Sequence, residues 1–254
     1  MNEMRGAAVQ AGVEPGGRTQ ASILEQALRQ DFINGRFEAG AKLRLRELAA
    51  RYGAGVIPLR EALSRLCASG FVVAVDQKGF RVAELSEDDL RDITLARQQI
   101  ESLALREAIA RADPAWEAEV VAALHRLKRI DITVPGTDRH MSPDWEKAHV
   151  EFHATLMKGC ASAWLQRFSA QLRDQTARYR YLSLAVASPG RGSEVRREHL
   201  DIVDAILAGD AEQACQALTR HYQTTADLVL AHMGAGAARP VTRSNKASPA
   251  AGHA

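Results

Sequence analysis

Three cysteines in 254 residues, Cys67, Cys160 and Cys215, are too few, too scattered and too odd in number for a disulfide frame. Two of them sit in apolar helical patterns, where cysteine serves as a small hydrophobe, and this predicts a reducing, cytoplasmic setting. No run of about 18 apolar residues is present, which argues against a membrane-spanning helix. The first residues lack a basic stretch followed by an apolar one, so no secretory signal is expected. One catalytic motif is also missing. Hydrolytic zinc enzymes of the HExxH type need a glutamate after the first histidine as general base, and Val150 follows His149 here.

What remains is ordinary for a globular chain: 46% hydrophobic and 25% charged residues. The length suits two modest domains or one large one. Net charge is only +2, but it is unevenly spread. Residues 1–82 hold 12 Lys and Arg against 8 Asp and Glu, and residues 83–254 hold 21 against 23. A basic first third on a near-neutral remainder hints at nucleic-acid contact.

Residues 1–18 are rich in Gly, Ala and polar groups without a period, and disorder is expected there. From Thr19 a helix is predicted on Ile23, Leu24, Ala27, Leu28 and Phe32, stopping at Asn34-Gly35. After a turn at Gly40, a second helix is expected over Leu45–Tyr52, ending at Gly53, and a third from Val56 to Ser69-Gly70. Pro58 fits the third helix's first turn, where a missing N–H costs nothing. Leu59, Ala62, Leu63 and Leu66 form its apolar stripe, leaving Arg60, Ser64 and Arg65 outward. The period then shortens. Phe71–Val75 and Phe80–Ala83 are β-rich runs around Asp76-Gln77-Lys78-Gly79, a hairpin signal with glycine at the tip. Helix, helix and basic-tipped wing make a winged helix-turn-helix pattern, whose second helix enters the major groove. The competing reading is a small helical domain with an incidental hairpin.

Beyond Leu85 the chain is almost all helix, predicted near 87–111, 114–130, 142–158, 162–187, 193–208 and 211–233. Ser86 and Asp113-Pro114 supply helix starts, and Ser188-Pro189-Gly190 and Gly209-Asp210 supply breaks. The fold class expected is mainly α: an N-terminal winged helix-turn-helix over 19–83 and an antiparallel all-helical bundle of six to seven helices over 86–233. Residues 234–254 read as a second disordered tail.

Four histidines are placed suggestively. His149 and His153 share a helix face, and His199 and His221 lie on the last two helices. Neutral imidazoles converging in a bundle core can hold a divalent metal; they can equally be hydrogen-bonded pocket groups with no metal. Arg97 falls on the inward side of its helix, with Ile93, Ile100, Leu103 and Ala104. A buried arginine needs an anion. That anion is either an internal acid such as Glu101 or the carboxylate of a ligand held bidentately. Arg178 and Arg180 are further candidates, one of them expected at the surface.

Taken together, these residues resemble the GntR superfamily of bacterial transcription regulators, in its FadR subfamily with an FCD-type effector domain. The resemblance spans about residues 20–232. It rests on RELA at Arg46–Ala49, PLREALSRL at Pro58–Leu66, SGFV at Ser69–Val72 and KGFRVA at Lys78–Ala83. In the second part it rests on EFH at Glu151–His153, EHLDIVDAILAGD at Glu198–Asp210 and RHY at Arg220–Tyr222. It implies a homodimeric repressor acting on a double-stranded DNA operator. DNA contacts are implied at Arg46, at the start of the third helix (Gly55, Val56, Ile57, Pro58), at Arg60 and at the wing tip Lys78-Gly79. It implies a metal, zinc or nickel, on His149, His153, His199 and His221, and a small carboxylate effector near Arg97 and Arg178. Within the subfamily the pattern is nearest to a carbon-starvation-induced, glutarate-responsive repressor, which implies glutarate as the effector.

Two departures stand out. Gly55-Val56-Ile57 replaces the usual Ser-Arg-Thr that opens the reading helix, and His149 stands where many members carry Asp or Asn. Two other classes stay in view: a metalloenzyme using the four histidines, and a helical signalling module whose first domain docks a protein; a narrower alternative keeps the regulator but changes the ligand to an amino acid, a sugar acid or another dicarboxylate.

Overall fold

The computed structural model describes residues 18–76, 78–134, 141–185 and 191–237, with side chains for all of these except 181–185 and 235–237. All but Arg18 of the tail expected over 1–18 and most of that over 234–254 lie outside the described residues, as do Gln77 at the wing tip and the break at 188–190. The chain divides into two units, Met1–Glu84 and Leu85–Ala254.

The first unit opens with helix α1 (Gln20–Ile33), whose start is fixed by the Thr19 hydroxyl accepting from the Ser22 N–H at 3.2 Å. Its buried face is Ala21, Leu24, Leu28 and Phe32. Ile23, predicted on that face, is 55% exposed, because a residue adjacent to Leu24 in sequence is turned about 100° from it. Strand β1 (Lys42–Leu43) then leads into α2 (Leu45–Tyr52) and α3 (Val56–Ala68). Gly53 ends α2 at φ +59°, a left-handed position that glycine takes without strain. Leu59, Ala62, Leu63 and Leu66 carry α3 into the core against α1 and α2.

Strands β2 (Val72–Val75) and β3 (Gly79–Val82) form the wing, antiparallel with Val72 opposite Val82 and Val75 opposite Gly79. The sheet order is β1-β3-β2. β1 went unpredicted. Two residues carry no period of their own, and this strand exists only by pairing with β3, Lys42 opposite Arg81.

The second unit contains, among the described residues, α4 (Glu87–Arg111), α5 (Pro114–Lys128), α6 (Pro143–Lys158), α7 (Ala163–Ala185), α8 (Arg191–Leu207) and α9 (Ala211–Ala237). Ser86, Asp113 and Ser142 cap α4, α5 and α6 by accepting N–H groups from Asp89, Ala115 and Trp145. α4 packs on α7 and α9, α5 on α6 and α8, and α8 on α9. Helix ends differ from expectation by up to a turn: α5 stops at Lys128, α8 starts at Arg191, and α9 runs to Ala237, into the stretch expected as tail. Leu103 is 56% exposed, not inward, because the buried stripe of α4 runs through Arg97, Glu101, Ala104 and Ala108. Among the described residues no helix is long and apolar enough to cross a membrane. All three cysteines are free, Cys160 and Cys215 buried.

Gly159, at the end of α6, shows how closely these helices approach. A Cβ there would lie 2.7 Å from the Ala108 Cβ and 2.8 Å from the Trp116 ring. Gly159→Ala is therefore expected to lower stability by about 1–3 kcal/mol. Chemical denaturation checks it, and an unchanged midpoint would show that the Trp116 ring yields freely.

Candidate functional site

Two groups of side chains emerge, one in each unit. In the first, the arginines separate by what they already hold. Arg29 and Arg65 pair with Glu25, Arg44 with Glu47, and Arg36 and Arg51 with Asp31. Arg18 donates to Gln26, and Arg81 donates to the Gly40 carbonyl at 2.9 Å. Arg46 and Arg60 alone, among the described arginines of this unit, have no partner, and both are exposed.

Arg46 stands in the first turn of α2. Arg60 stands on the outward face of α3, opposite the Leu59-Leu63-Leu66 stripe. Arg65, predicted outward with it, is turned to Glu61 and Ser22 instead. Gly55, Val56 and Ile57 are exposed at the start of α3, and Pro58 is half-buried. At the wing, Lys78 is exposed and Gly79 holds φ +88°. Guanidinium groups without internal anions, on the outward faces of a helix-turn-helix pair, are suited to phosphate and to base edges.

In the second unit the four histidines come together from three helices. His149 and His153 come from α6, His199 from α8 and His221 from α9, all buried, with one ring nitrogen of each within 4.8 Å of the others. The two α6 rings meet Nε2 to Nε2 at 3.1 Å. Neighbours orient two of the rings. The His221 Nδ1 is 2.7 Å from Glu198, and the His153 Nδ1 is 3.2 Å from the Tyr222 hydroxyl. Both Nδ1 atoms are thereby occupied, which leaves Nε2 for the centre, as histidine ligands with an outer carboxylate are arranged. Trp145 stacks on His149 at 4.6 Å.

Among the described residues, two of the buried histidine nitrogens, His149 Nδ1 and His199 Nε2, have no hydrogen-bond partner. An unmet imidazole nitrogen inside a packed bundle is costly unless something binds it. Burial pushes the pKa of His149, His153 and His199 well below the usual value. His221 is lowered too, burial outweighing Glu198. Neutral rings keep the lone pairs that a metal needs. The donor set fits a borderline-soft divalent ion such as zinc or nickel.

Around this centre, charges are matched in pairs. The Arg97 Nε donates to Glu101 at 2.9 Å, and Glu101 also accepts from the Tyr222 hydroxyl at 2.5 Å. Arg97 further donates to Thr176 at 3.0 Å and lies 3.9 Å from the Tyr222 ring centre. Arg180 pairs with Glu146, and Arg191 with Glu198. Burial works to raise Glu198, but His221 and Arg191 outweigh it and hold that carboxyl below its ordinary value. Arg173 adds a further buried cation that donates to Ser169 at 2.5 Å and has no ion pair among the described residues.

Beside the histidines lies a cavity of about 30 Å³, lined in part by Thr94, Arg97, Thr176, Arg180, His149 and His221. That is room for a water or two, or an ion. Arg97 and Arg180 line it and Arg178 does not. Arg178 lies over the Tyr179 ring at 5.8 Å. Neither Arg178 nor Arg180 is at the surface, contrary to the expectation for one of them. Sequence reading assigned no role to Glu146, Glu198, Tyr222 or Arg173. Glu198 and Tyr222 had a usable signal, since each adjoins a candidate histidine in the chain. Glu146 and Arg173 had none.

Comparison with known proteins bears on both groups. Residues 20–82 match the family model described as bacterial regulatory proteins, gntR family, and residues 92–224 match the FCD domain. The chain is 39% identical over 204 residues to the HTH-type transcriptional regulator BphR of Paraburkholderia xenovorans, covering 80% of this chain and 82% of that one. It is 37% identical over 204 residues to the HTH-type transcriptional repressor GlaR of Escherichia coli, covering 80% and 92%. Among solved structures, E. coli McbR/YncC superposes with a TM-score of 0.70 at 19% identity, over 85% of this chain and all of that one. At that identity the likeness concerns the fold alone.

Proposed function

The chain belongs to the gntR family of bacterial regulatory proteins and carries an FCD domain, and from that premise we propose a repressor released from DNA by a small dicarboxylate. Like its relatives it is a transcription regulator, not an enzyme. The observation that carries the DNA part of the reading is the pair of partnerless guanidinium groups, Arg46 and Arg60, on adjoining helices. With Lys78 they supply phosphate and base contacts. The operator is a short pseudo-palindrome read by a homodimer. Exposed Leu95 and Leu103 on α4, and Trp164 and Phe168 one turn apart on α7, support self-association of the helical unit.

His149, His153, His199 and His221 would hold the metal, and a divalent cation bound there supplies positive charge at the cavity wall. The buried Glu101 and Glu146 and the half-buried Glu198 are already paired with Arg97, Arg180 and Arg191, which leaves the ion's charge for a ligand to balance. A doubly charged anion balances this excess better than a monocarboxylate does, and glutarate has that charge. Arg97 and Arg180 line the approach to it, with Arg178 in reserve outside the present cavity. The effector releases DNA only in so far as it binds a low-affinity conformation more tightly than the DNA-bound one.

Anisotropy titrations of the full chain on duplexes selected from a randomised library test this. Binding is expected to weaken steeply with salt. Arg60→Ala is expected to cost about five- to 150-fold in affinity, and glutarate to release the wild-type complex. Unchanged affinity in Arg60→Ala removes α3 as the reading helix. Indifference to glutarate removes that effector and leaves the DNA reading standing.

A further inference from the structure

Ile57 is 84% exposed, more than any other large apolar side chain among the described residues, and Val56 beside it is 42% exposed. Both stand on the first turn of α3, where Gly55 makes no side-chain cap. The core holds Leu59, Ala62, Leu63 and Leu66 of the same helix, so the outward face carries Val56, Ile57, Arg60, Ser64 and Glu61, the last paired with Arg65. No described residue of this unit covers the isoleucine. On the leading turn of a reading helix, such exposure puts an aliphatic group, with no hydrogen-bonding atom, against the major groove.

The base-pair edges there offer donors, acceptors and one apolar feature, the C5-methyl of thymine. An aliphatic side chain can discriminate only by that methyl. We propose that Ile57, flanked by Val56, is a specificity-determining residue that contacts a thymine methyl in each half-site. Three residues of helix rise about 4.5 Å, and base pairs are spaced about 3.4 Å along the duplex. The thymine therefore lies about one base pair from the base that Arg60 contacts. This inference rests on the DNA-binding reading above.

The test uses the full chain and the selected duplexes. Each thymine of the half-site is replaced in turn by deoxyuridine, which removes the methyl and leaves pairing intact. At one thymine, next to or one step from a guanine, wild type is expected to bind the uracil duplex about fourfold more weakly, the worth of one buried methyl. Ile57→Ser is expected to bind the two duplexes equally, and Ile57→Val to keep the discrimination. Because Ile57 is outside the core, both variants are expected to show the wild-type circular dichroism spectrum. Two results overturn the proposal: no thymine whose replacement weakens binding, or the same penalty in Ile57→Ser. A library that yields no enriched duplex is a different result, which sinks the DNA-binding reading and this inference with it.

Discussion

Arg97→Ala is expected to destabilise the helical unit by about 3–5 kcal/mol, a fall in Tm of roughly 6–20 °C for a unit of this size. The reason is Glu101, wholly buried on the next turn of α4. Its carboxylate is held by Arg97 and by the Tyr222 hydroxyl. Without the guanidinium it keeps one neutral donor and an uncompensated charge in a low-dielectric interior. Replacing both members, Arg97→Met with Glu101→Leu, is expected to recover most of the loss. Tyr222 then retains His153, and Thr176 retains its backbone acceptors on α7. Calorimetry of the two variants decides the matter. A single variant costing under 1 kcal/mol, or a double variant worse than the single, would mean the pair does not set the interior charge balance. The same point governs ligand work. Arg97 positions Glu101, Tyr222 and through it His153, so a lost thermal response in Arg97→Ala mixes folding with binding.

The second large effect concerns the histidines. In the wild type, zinc or nickel at a thousandfold excess over its dissociation constant is expected to add about 4 kcal/mol to stability. In His199→Ala that gain is expected to disappear. His199 is the sharpest choice because its Nε2 has no other partner, so its removal strands no neighbouring group. The quantity compared is the change on adding metal within each protein, which cancels the cost of the vacated ring. Equal gains in both proteins take His199 out of the ligand set. No gain in either, with metal absent from the purified protein by elemental analysis, returns the cluster to a hydrogen-bonded pocket.

Much of the fold was legible because its signals are local. Thr19, Ser86 and Asp113-Pro114 mark helix starts, Gly53 marks a stop, and the change of period after Ser69 marks the wing. β1 was not legible, since a two-residue strand is made by its partner. Nor was the outward turn of Leu103, because α4 buries a mixed stripe in which Arg97 and Glu101 take places that hydrophobicity alone gives to leucine. The histidines shared a helix face or fell on inward segments, but what lies opposite each ring depends on how three helices pack. The sorting of arginines was least visible. Arg60 and Arg65 both fall off the apolar stripe of α3; the i,i+4 pair of Arg65 with Glu61 is local, but only tertiary structure adds Glu25 and Ser22 to it while giving Arg60 no partner among the described residues.

The cavity beside the histidines has a kinetic consequence. At about 30 Å³ it admits water or an ion, and a five-carbon diacid is several times larger. On the proposed reading, a ligand of that size is expected to enter only after lining side chains such as Thr176 and Arg180 have moved apart. Association is then timed by that opening and not by diffusion, so its observed rate levels off with rising ligand concentration. If the proposed effector binds there, such a regulator is expected to ignore pulses briefer than the opening time and to answer only to a sustained supply.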